Sequence, residues 1–458
     1  MLKKINRRKF IKTTVIAGTA ATVIPKSLFS FQARKRVKIG IIGTGMRGQW
    51  ILWLAAKYPE VDIPAICDID EGMVASALKI LKDAGKPKPR VYKKGDEDFL
   101  NMVKNEDLDG VYIATPWEWH HSMAIAAMKQ GIHVGTEVPA ALTVKDCWDL
   151  VNTSERTGKH CMIMENVCYR RDVLAVLNMV RQGLFGELLH CQGGYQHDLR
   201  HVKFNDGKQP YGGGVKFGEH GYSEAKWRTQ HSVDRNGDLY PTHGLGPVAQ
   251  YMNLARNEDN FKHLVSLSSP AIGRNKFAKE NFDSDHKWNK MDFSNGDMNT
   301  SIIKTNLGRT VMVQWDETSP RPYSRLNLIQ GTKGTLAGFP TRAAFENGFE
   351  GITKDHHSWI QGDKLEKLYE KYDHPLYKRL NSKTKKSGHG GMDGIMMYRI
   401  VECLKNGLPL DQNVYEGCFW SAVTPLSASS IENDGSPQAF PDFTRGDWKK
   451  TKELEIVV

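Results

Sequence analysis

Short apolar runs alternate with helix-like segments from Val37 to about Met164. The first run, Val37–Ile42, is apolar at nearly every position and is followed by glycines, as in a strand buried on both faces of a parallel sheet. Repeated β-α units of this size predict an α/β fold with an N-terminal Rossmann-type, doubly wound parallel sheet. The later elements predicted in this stretch are helix 49–58, strand 61–67, strand 109–114, helix 122–130, strand 132–134, a helix capped by Thr143 that runs to about residue 155, and strand 160–164.

The pattern changes beyond about Asn166, where glycine-rich and aromatic-rich loops separate alternating strands. The strands predicted here are 188–196, 301–305 and 310–314, which indicate a C-terminal α+β domain with an open, largely antiparallel sheet. Residues 363–386 are rich in Lys, Glu and Tyr and predict a solvated helix and loop. The domains are therefore expected at 1–36 (a targeting segment), 37–165 (the Rossmann domain) and 166–458 (a substrate-binding domain).

The net charge of +11 on 458 residues does not indicate nucleic-acid binding, because the excess positive charge is concentrated at the N-terminus. Ten basic residues and no acidic residue lie in residues 1–36, and the rest of the chain carries 53 basic against 52 acidic side chains. A nearly neutral body lacks the clustered positive surface that a phosphate backbone requires. No apolar run reaches the ~20 residues of a membrane-spanning helix, so no stable membrane span is expected.

The basic N-terminus has the pattern of an export signal. Arg7 and Arg8 form a twin-arginine pair, and the uncharged, weakly apolar run 13–24 follows them. This pattern predicts recognition by the twin-arginine translocation machinery, export to the periplasm and cleavage between residues 20 and 36. A disordered basic arm is the alternative interpretation.

Seven cysteines are an odd number, and their spacing does not match a zinc site. A domain of this size folds without disulfides. His120 and His121 are adjacent, and the run Asp355-His356-His357 has no evident partner, so no bound metal is expected.

A nucleotide-binding motif follows the first strand. Gly43, Gly45 and Gly48 form G-x-G-x-x-G between a predicted strand and a predicted helix, and Asp68 lies 20 residues beyond Gly48 at the end of the next strand. These glycines let the backbone approach a pyrophosphate, and a carboxylate at Asp68 favours NAD over NADP. Arg47 is able to reach a phosphate and weakens that preference. A glycine turn without a ligand is the alternative.

The motif set resembles the Gfo/Idh/MocA family of nicotinamide-dependent sugar oxidoreductases. The resemblance rests on the glycine motif, Asp68, Thr115-Pro116 with His120, and Glu137-Val138-Pro139 after a strand. That family has a Rossmann domain followed by an α/β substrate domain. It usually has Glu-Lys-Pro where this chain has Val138, and valine cannot carry a proton. A simple sugar dehydrogenase that uses the lysine is therefore disfavoured.

Within that family the chain is most similar to glycoside hydrolase family 109, whose characterised members remove α-linked N-acetylgalactosamine. The additional matches include Arg7-Arg8 and the block from Ser387 to Asp393. The resemblance implies NAD contacts at Gly43, Gly45, Met46, Arg47, Gly48, Asp68, Trp117, Glu118, Trp119, His120, Glu137, Val138 and Asn166. It implies contacts with a small-molecule or glycan substrate at Tyr195, Arg228, Tyr240, Pro241, Thr242, His243 and Tyr323.

The resemblance also implies a hydrolysis in which the cofactor is regenerated: oxidation at sugar C3, loss of the C2 proton and the C1 aglycone, addition of water, and re-reduction. We expect His243 and Tyr195 to be the catalytic proton carriers, since both side chains can move protons when their pKa values approach the working pH. Thr242 is expected to cap a helix through residues 248–254, and a helix N-terminus keeps His243 neutral. The alternatives are a periplasmic NAD(P)-dependent sugar oxidoreductase and a non-catalytic sugar sensor. The open sheet face suggests a homodimer.

Overall fold

The computed structural model describes residues 36–204, 223–281, 283–285, 287–290, 292–384, 387 and 389–454. The predicted signal lies outside these residues, apart from Arg36. No helix within the described ranges combines the length and the apolar character needed to cross a membrane.

The N-terminal domain is built on a parallel sheet with Rossmann topology. Its strand order is β4-β3-β1-β5-β6-β7, with β2 paired to β1, and every pairing is parallel. The predicted α/β class is confirmed. The elements are β1 (Val37–Ile42), α1 (Met46–Ala56), β2 (Val61–Asp62), β3 (Ala65–Cys67), α2 (Glu71–Asp83), β4 (Arg90–Tyr92), α3 (Asp98–Asn105), β5 (Gly110–Ile113), α4 (Trp117–Lys129), β6 (His133–Thr136), α5 (Val144–Thr157) and β7 (Cys161–Ile163).

Several element boundaries differ from those expected. The apolar run 61–67 is divided into β2 and β3 at Pro64, which has no amide hydrogen to donate. Helix α4 begins at Trp117, five residues earlier than predicted, so the Trp-Glu-Trp-His run is its first turn rather than a loop. Thr143 caps α5 as predicted, because its hydroxyl accepts the backbone N–H of Asp146 at 3.1 Å.

The C-terminal domain contains an eight-stranded mixed sheet. The strand order is β14-β13-β12-β8-β11-β10-β9-β15, and only β8 and β11 pair in parallel. The predicted open, mostly antiparallel sheet is thus confirmed. Its elements are α6 (Arg171–Arg181), β8 (Leu188–Gln196), α7 (Arg200–Lys203), α8 (Arg228–Asp234), α9 (Thr242–Tyr251), β9 (Phe261–Ser268), α10 (Gly273–Asn281), β10 (Met298–Thr305), β11 (Thr310–Asp316), β12 (Leu328–Gly331), β13 (Gly334–Ala337), β14 (Arg342–Phe345), α11 (Asp363–Tyr372), α12 (Pro375–Thr384), α13 (Met392–Asn406), α14 (Val414–Glu432) and β15 (Gln438–Ala439).

One face of this sheet is covered and the other is open. Helix α9 packs on β8 and α14 packs on β9, whereas Leu267 and Ile302 are exposed on the uncovered face. The prediction of a solvated helix and loop at 363–386 is confirmed as to the helix and wrong as to the loop for the described residues 363–384. Two helices, α11 and α12, occupy this stretch, and each buries an apolar stripe that includes Leu368 and Leu376.

The two domains meet along the carboxyl edge of the parallel sheet. Helix α14 packs against α5, and Ser421 accepts the backbone N–H of Ala140 at 3.0 Å. Helix α13 packs against α1. The neighbours of β1 are β3 on one side and β5 on the other, so successive strands are added on opposite sides of β1 and the strand order reverses there. In open α/β sheets, ligands bind in the crevice outside such a reversal point.

Candidate active site

The glycine turn between β1 and α1 leaves space for a ligand at one position only. Gly43 has a φ of +85°, and a Cβ there would lie 2.5 Å from the carbonyl oxygen of Ala114. A Cβ on Gly48 would lie 1.9 Å from the carbonyl oxygen of Gly43, whereas a Cβ on Gly45 would meet no atom within 4 Å. Gly43 and Gly48 are therefore required for packing. The open space at Gly45, beside the N-terminus of α1, fits a dinucleotide pyrophosphate.

Asp68 holds this turn to the end of β3. Its carboxylate accepts the backbone N–H of Thr44 at 2.5 Å, the Thr44 hydroxyl at 3.1 Å and the backbone N–H of Asp70 at 2.9 Å. The predicted contact between Asp68 and NAD remains a prediction. The structure fixes the carboxylate at the carboxyl edge of the sheet, where that contact is expected.

Arg47 and Glu137 form an ion pair across the crevice, with Arg47 Nε 2.6 Å from Glu137 Oε1. A terminal nitrogen of Arg47 also donates to Asp393 at 3.1 Å, and the Asn166 amide donates to Asp393 at 2.7 Å. Burial alone would lower the pKa of Arg47, but the two carboxylates raise it well above its usual range. Three predicted cofactor residues are thus joined in one network.

His120 connects two of the turns at this edge. Its Nδ1 lies 2.7 Å from the carbonyl oxygen of Pro139, and its Nε2 lies 2.9 Å from that of Thr115. Burial lowers the pKa of His120, and a neutral imidazole donates to only one of the two carbonyls. His120 therefore positions these turns. Val138 is buried beside Pro139, and Met46 is 40% exposed at the start of α1.

The three residues that open α4 have different surroundings. Trp117 is buried and stacks on His231, with centroids 4.9 Å apart. The Glu118 carboxylate lies 3.5 Å from Nε2 of the same histidine. Trp119 packs edge-on against Phe99 of α3, at 6.3 Å. Trp117 consequently faces the second domain, whereas Trp119 contributes to packing within the first.

An aromatic pocket lies next to the crevice, at the carboxyl end of β8. The Tyr195 ring lies 4.8 Å from Tyr240, 5.2 Å from His243 and 5.9 Å from Tyr323, centroid to centroid. Tyr240 also stacks against Trp117 at 5.7 Å. The structure therefore brings these predicted sugar-binding residues together and places them beside the opening of α4.

His243 forms a pair with a buried carboxylate that the sequence did not single out. Its Nδ1 lies 2.9 Å from the Glu165 carboxylate, and Glu165 is fully buried and also accepts the backbone N–H of Val167 at 3.1 Å. A carboxylate at Nδ1 favours the tautomer with its proton there, which leaves Nε2 free to accept a proton.

The prediction that Thr242 caps the following helix is wrong. Helix α9 begins at Thr242 itself, with Pro241 in the capping position, and no side chain caps it. The Thr242 hydroxyl is buried without a partner among the described residues. His243 still lies in the first turn of α9.

The phenols of the pocket are held in their protonated form. Burial raises the pKa of Tyr195 and of Tyr240 well above the usual range, and it raises the pKa of Tyr323 to about 12. At neutral pH these side chains therefore donate protons or hydrogen bonds. His243 is the member of the pocket with a nitrogen suited to accept one.

Arg228 enters the pocket between two aromatic rings. Its guanidinium carbon lies 4.5 Å from the Tyr240 ring centroid and 5.0 Å from that of Trp117. Its terminal nitrogens donate to Glu224 at 2.6 Å and to Glu317 at 2.5 Å. The predicted substrate contact of Arg228 is therefore left to the remaining hydrogens of these nitrogens and to Nε, which has no hydrogen-bond partner among the described residues.

Glu317 lies beneath Arg228 in a buried cluster of charges. It also pairs with Lys203, and Arg274 stacks on Trp315 nearby with 5.2 Å from its guanidinium carbon to the ring centroid. Burial opposes ionisation of Glu317, but the surrounding cations lower its pKa to about 2. Burial lowers the pKa of Lys203 to about 7. Glu317 thus keeps Arg228 in place from the side away from the pocket.

Two protein-family models match consecutive parts of the chain. Residues 37–165 match the oxidoreductase family with an NAD-binding Rossmann fold, and residues 169–450 match the C-terminal domain of glycosyl hydrolase 109. The chain belongs to glycosyl hydrolase family 109. A family 109 protein of Akkermansia muciniphila is 52% identical over 431 residues, which cover 93% of this chain and 86% of that protein. One of Shewanella amazonensis is 48% identical, with 99% of each chain covered.

Solved structures show the same fold at low sequence identity. A levoglucosan dehydrogenase in complex with NADH and levoglucosan superposes with a TM-score of 0.64 and 17% identity, over 89% of this chain and all of that one. A myo-inositol dehydrogenase from Lactobacillus casei in complex with NAD(H) and myo-inositol superposes with a TM-score of 0.56 and 15% identity. The match covers 89% of this chain and 99% of that one. This family 109 hydrolase is therefore built on an NAD-binding oxidoreductase fold.

Four buried charged residues of this family 109 protein were given no individual role from sequence: Lys203, Glu317, Glu165 and Asp393. Glu165 lies two residues after the end of β7, and Glu317 directly follows β11. A charged residue at such a strand end is a usable signal. Lys203 gave no such signal, because a single lysine in a polar stretch looks solvated.

The described residues contain no disulfide and one group of potential metal ligands. All seven cysteines are buried and unpaired. Among the described residues, one group has metal-compatible spacing, with ligand atoms of His121, Asp146 and Asp149 within 4.8 Å of one another. It lies on α4 and α5, and Lys145 is 2.6 Å from Asp149. The expectation of a metal-free enzyme stays a prediction, which activity after chelation tests.

Proposed function

We propose that this family 109 hydrolase removes terminal α-linked N-acetylgalactosamine by transient oxidation of the sugar. Oxidation at C3 is followed by elimination across C1 and C2, addition of water and re-reduction, so the net reaction is hydrolysis. Bound NAD supplies the reversible acceptor for the C3 hydride, a function that no side chain can perform. The family description, the NAD-binding domain and the pocket chemistry support the proposal.

The observation that carries the proposal is the His243–Glu165 pair facing Tyr195 beside the cofactor crevice. It supplies a proton acceptor with a fixed tautomer and a protonated phenol within one pocket, 5.2 Å apart by ring centroids. An ordinary glycosidase would need two carboxylates on either side of the glycosidic bond. The two carboxylates nearest His243 and Arg228 that are fully buried, Glu165 and Glu317, are engaged by those side chains, and Glu224 is likewise paired with Arg228.

The proposed proton movements balance over one turnover. The ketone at C3 acidifies the C2 proton, which His243 Nε2 accepts while the C1–O bond breaks and Tyr195 donates its proton to the leaving oxygen. A water molecule then gives its proton to the Tyr195 phenolate and its hydroxyl to C1, and His243 returns a proton to C2. The C3 hydroxyl proton leaves to solvent water and returns when C3 is reduced.

Val138 supports hydrolysis over net oxidation. It is buried beside the crevice at the position where the resemblance expects a lysine in dehydrogenases of this fold. An aliphatic side chain carries no proton to or from a C3 hydroxyl. The C3 hydroxyl proton is consequently exchanged with water, proton transfer at C1 and C2 is left to the pocket on the other domain, and the hydride is returned to the same sugar.

Turnover of aryl glycosides by the purified protein tests the proposal. We expect release from aryl α-N-acetylgalactosaminide, with little from the α-galactoside or the β-anomer, and NAD in the supernatant of the denatured protein. Accumulation of a keto sugar or lactone with matching cofactor reduction would indicate a sugar oxidoreductase. Sugar-induced thermal stabilisation without turnover of any glycoside would indicate a sensor.

We further propose export through the twin-arginine machinery and assembly as a homodimer through the open sheet face. The Arg7-Arg8 pair before an uncharged run supports export, and the exposed Leu267 and Ile302 support the dimer. Cell fractionation of the R7K/R8K variant tests export, since a cytoplasmic product is expected. Light scattering of the purified protein tests the dimer, and a monomeric mass would contradict it.

A further inference from the structure

Asp393 is a buried carboxylate on the C-terminal domain that reaches the cofactor crevice of the other domain. It lies in the first turn of α13, two residues after Gly391, and the φ values of Gly390 and Gly391, +70° and +99°, are accessible to glycine at low cost. Its side chain is completely buried. A negative charge there is favoured by the N-terminal end of the α13 dipole.

Three donors on the N-terminal side converge on this carboxylate. Arg47 donates to Oδ1 at 3.1 Å, Asn166 donates to the same oxygen at 2.7 Å, and the Trp50 indole donates to Oδ2 at 3.0 Å. Arg47 belongs to the glycine motif, Trp50 to α1, and Asn166 to the turn after β7. Asp393 thus joins the first and last turns at the carboxyl edge of the parallel sheet.

Arg47 and Asn166 have little else to fix their positions. The remaining partner of Arg47 is Glu137, at 2.6 Å, and the Asn166 Oδ1 has no hydrogen-bond partner among the described residues. Without Asp393, Arg47 would keep one carboxylate of two, and the Asn166 amide would lose the acceptor that orients it. Both residues lie at the edge where the dinucleotide is expected.

We propose that Asp393 is a positioning residue for cofactor retention: it fixes Arg47 and Asn166 so that NAD dissociates slowly enough to serve many turnovers. The C-terminal domain therefore binds sugar and also closes the far side of the NAD site. This inference rests on NAD binding and does not depend on which glycoside is cleaved. Its ligand class is a nicotinamide dinucleotide.

Asp411 provides a matched control for the loss of a buried carboxylate. It accepts both Arg399 Nε and a terminal nitrogen of Arg399, at 3.0 and 2.6 Å, and the Tyr169 hydroxyl at 3.0 Å. Its guanidinium partner lies on the same helix, α13, as Asp393. The two sites share chemistry and burial, but the partners of Asp411 do not include Arg47 or Asn166.

The test is the dissociation rate of NADH from the holoenzyme, followed by fluorescence after dilution into excess NAD⁺. Asp393→Asn is expected to accelerate release at least tenfold, whereas Asp411→Asn lowers the melting temperature and releases NADH at the wild-type rate. Wild-type release from folded Asp393→Asn, or equal acceleration by Asp411→Asn, would overturn the proposal. Fast NADH release from the wild-type enzyme would contradict long cofactor retention and the proposed redox-neutral cycle. Glycoside release is measured separately, so that failure of this proposal is distinguished from failure of the proposed activity.

Two further variants keep the test decisive. Trp50→Phe removes one donor to Asp393 without altering a predicted NAD contact, so a smaller acceleration of two- to fivefold is expected even if Asp393→Asn does not fold. In the background of Arg47→Gln, Asp393→Asn is expected to add little further acceleration, because the two residues act together. Fully independent effects of the two substitutions, together with no effect of Trp50→Phe, would contradict action through Arg47.

Discussion

At the residue scale, the chemistry is divided between groups that contact a ligand and groups that hold them in place. His243 and Tyr195 face the pocket, whereas Glu165 lies behind His243 and is fully buried. Such a carboxylate sets the tautomer and stabilises the imidazolium that forms when the histidine accepts a proton. The rate of the proton-transfer step should therefore depend on Glu165 even though it touches no substrate atom.

Glu165→Gln is expected to lower kcat by about 100-fold, because the amide keeps the size of the side chain but cannot stabilise a positive imidazole. His243→Gln removes the acceptor itself and should lower kcat further. NAD content after denaturation is expected to match that of the wild type in both variants. A Glu165→Gln enzyme within twofold of the wild-type kcat would contradict the assigned role.

His243 and Tyr195 were predicted from sequence, but Glu165 was not. The partner of Glu165 lies 78 residues away in the chain, and the sequence contains no local sign that the two are joined. The same holds for Asp393, whose partner Arg47 is 346 residues distant. Resemblance locates residues that contact ligands, and the folded structure is needed to find the buried groups that orient them.

At the element scale, the glycines at the junction of β1 and α1 serve two different purposes: some allow close packing of the backbone, and one leaves space for a ligand. Gly48 faces the carbonyl oxygen of Gly43 at a distance that excludes any side chain, whereas Gly45 faces open space. The sequence predicted the turn, but G-x-G-x-x-G alone did not show which glycine serves which purpose. It also placed the start of α4 too late, because Trp117-Glu118-Trp119 has no capping residue before it.

Gly45→Ala and Gly48→Ala form a matched pair. Gly45 has a φ of −63°, which alanine adopts without strain, so its variant should keep the melting temperature of the cofactor-free protein. NAD affinity is expected to fall at least tenfold, since the methyl group fills the space left for the pyrophosphate. Gly48→Ala should destabilise the protein by about 1–3 kcal/mol or more, in the range for overpacking. Calorimetry and NAD titration measure both effects, and unchanged NAD affinity in Gly45→Ala would contradict the assigned site.

At the scale of the whole molecule, the C-terminal helices complete the N-terminal domain. Helix α14 packs on α5 and α13 packs on α1, so stability and cofactor binding are shared across both domains. The alternating pattern predicted the type of each sheet, but only three of the eight C-terminal strands and not β4. It did not predict these contacts, because the buried faces of α13 and α14 are defined by a surface more than 200 residues earlier in the chain.

Two buried histidines make the fold sensitive to acid. Burial lowers the pKa of His160 and of His374 from 6.5 to about 4 in each case. Below pH 6.5 these two histidines are protonated in the unfolded chain but remain neutral in the folded chain, so the free energy of unfolding falls as the pH drops towards 4. The expected slope is about 1.4 kcal/mol per pH unit for each histidine.

Denaturant unfolding at several pH values measures this slope. The double variant His160→Gln/His374→Gln should unfold with a slope flatter by about 2–3 kcal/mol per pH unit between pH 6 and 5. A uniform loss of stability in the variant does not affect this comparison, because only the slope is read. Equal slopes in the two proteins would show that both histidines are protonated in the folded state.

The claim that hydrolysis proceeds through transient oxidation is tested most directly by running the reaction in deuterated water. The released N-acetylgalactosamine should carry deuterium at C2, because the proton that His243 removes is replaced from solvent, while the enzyme-bound NAD shows no net reduction at the end. Mass spectrometry and proton NMR of the product measure the label. Complete hydrolysis with no deuterium at C2, under conditions where His243 exchanges its proton with solvent, would contradict the account.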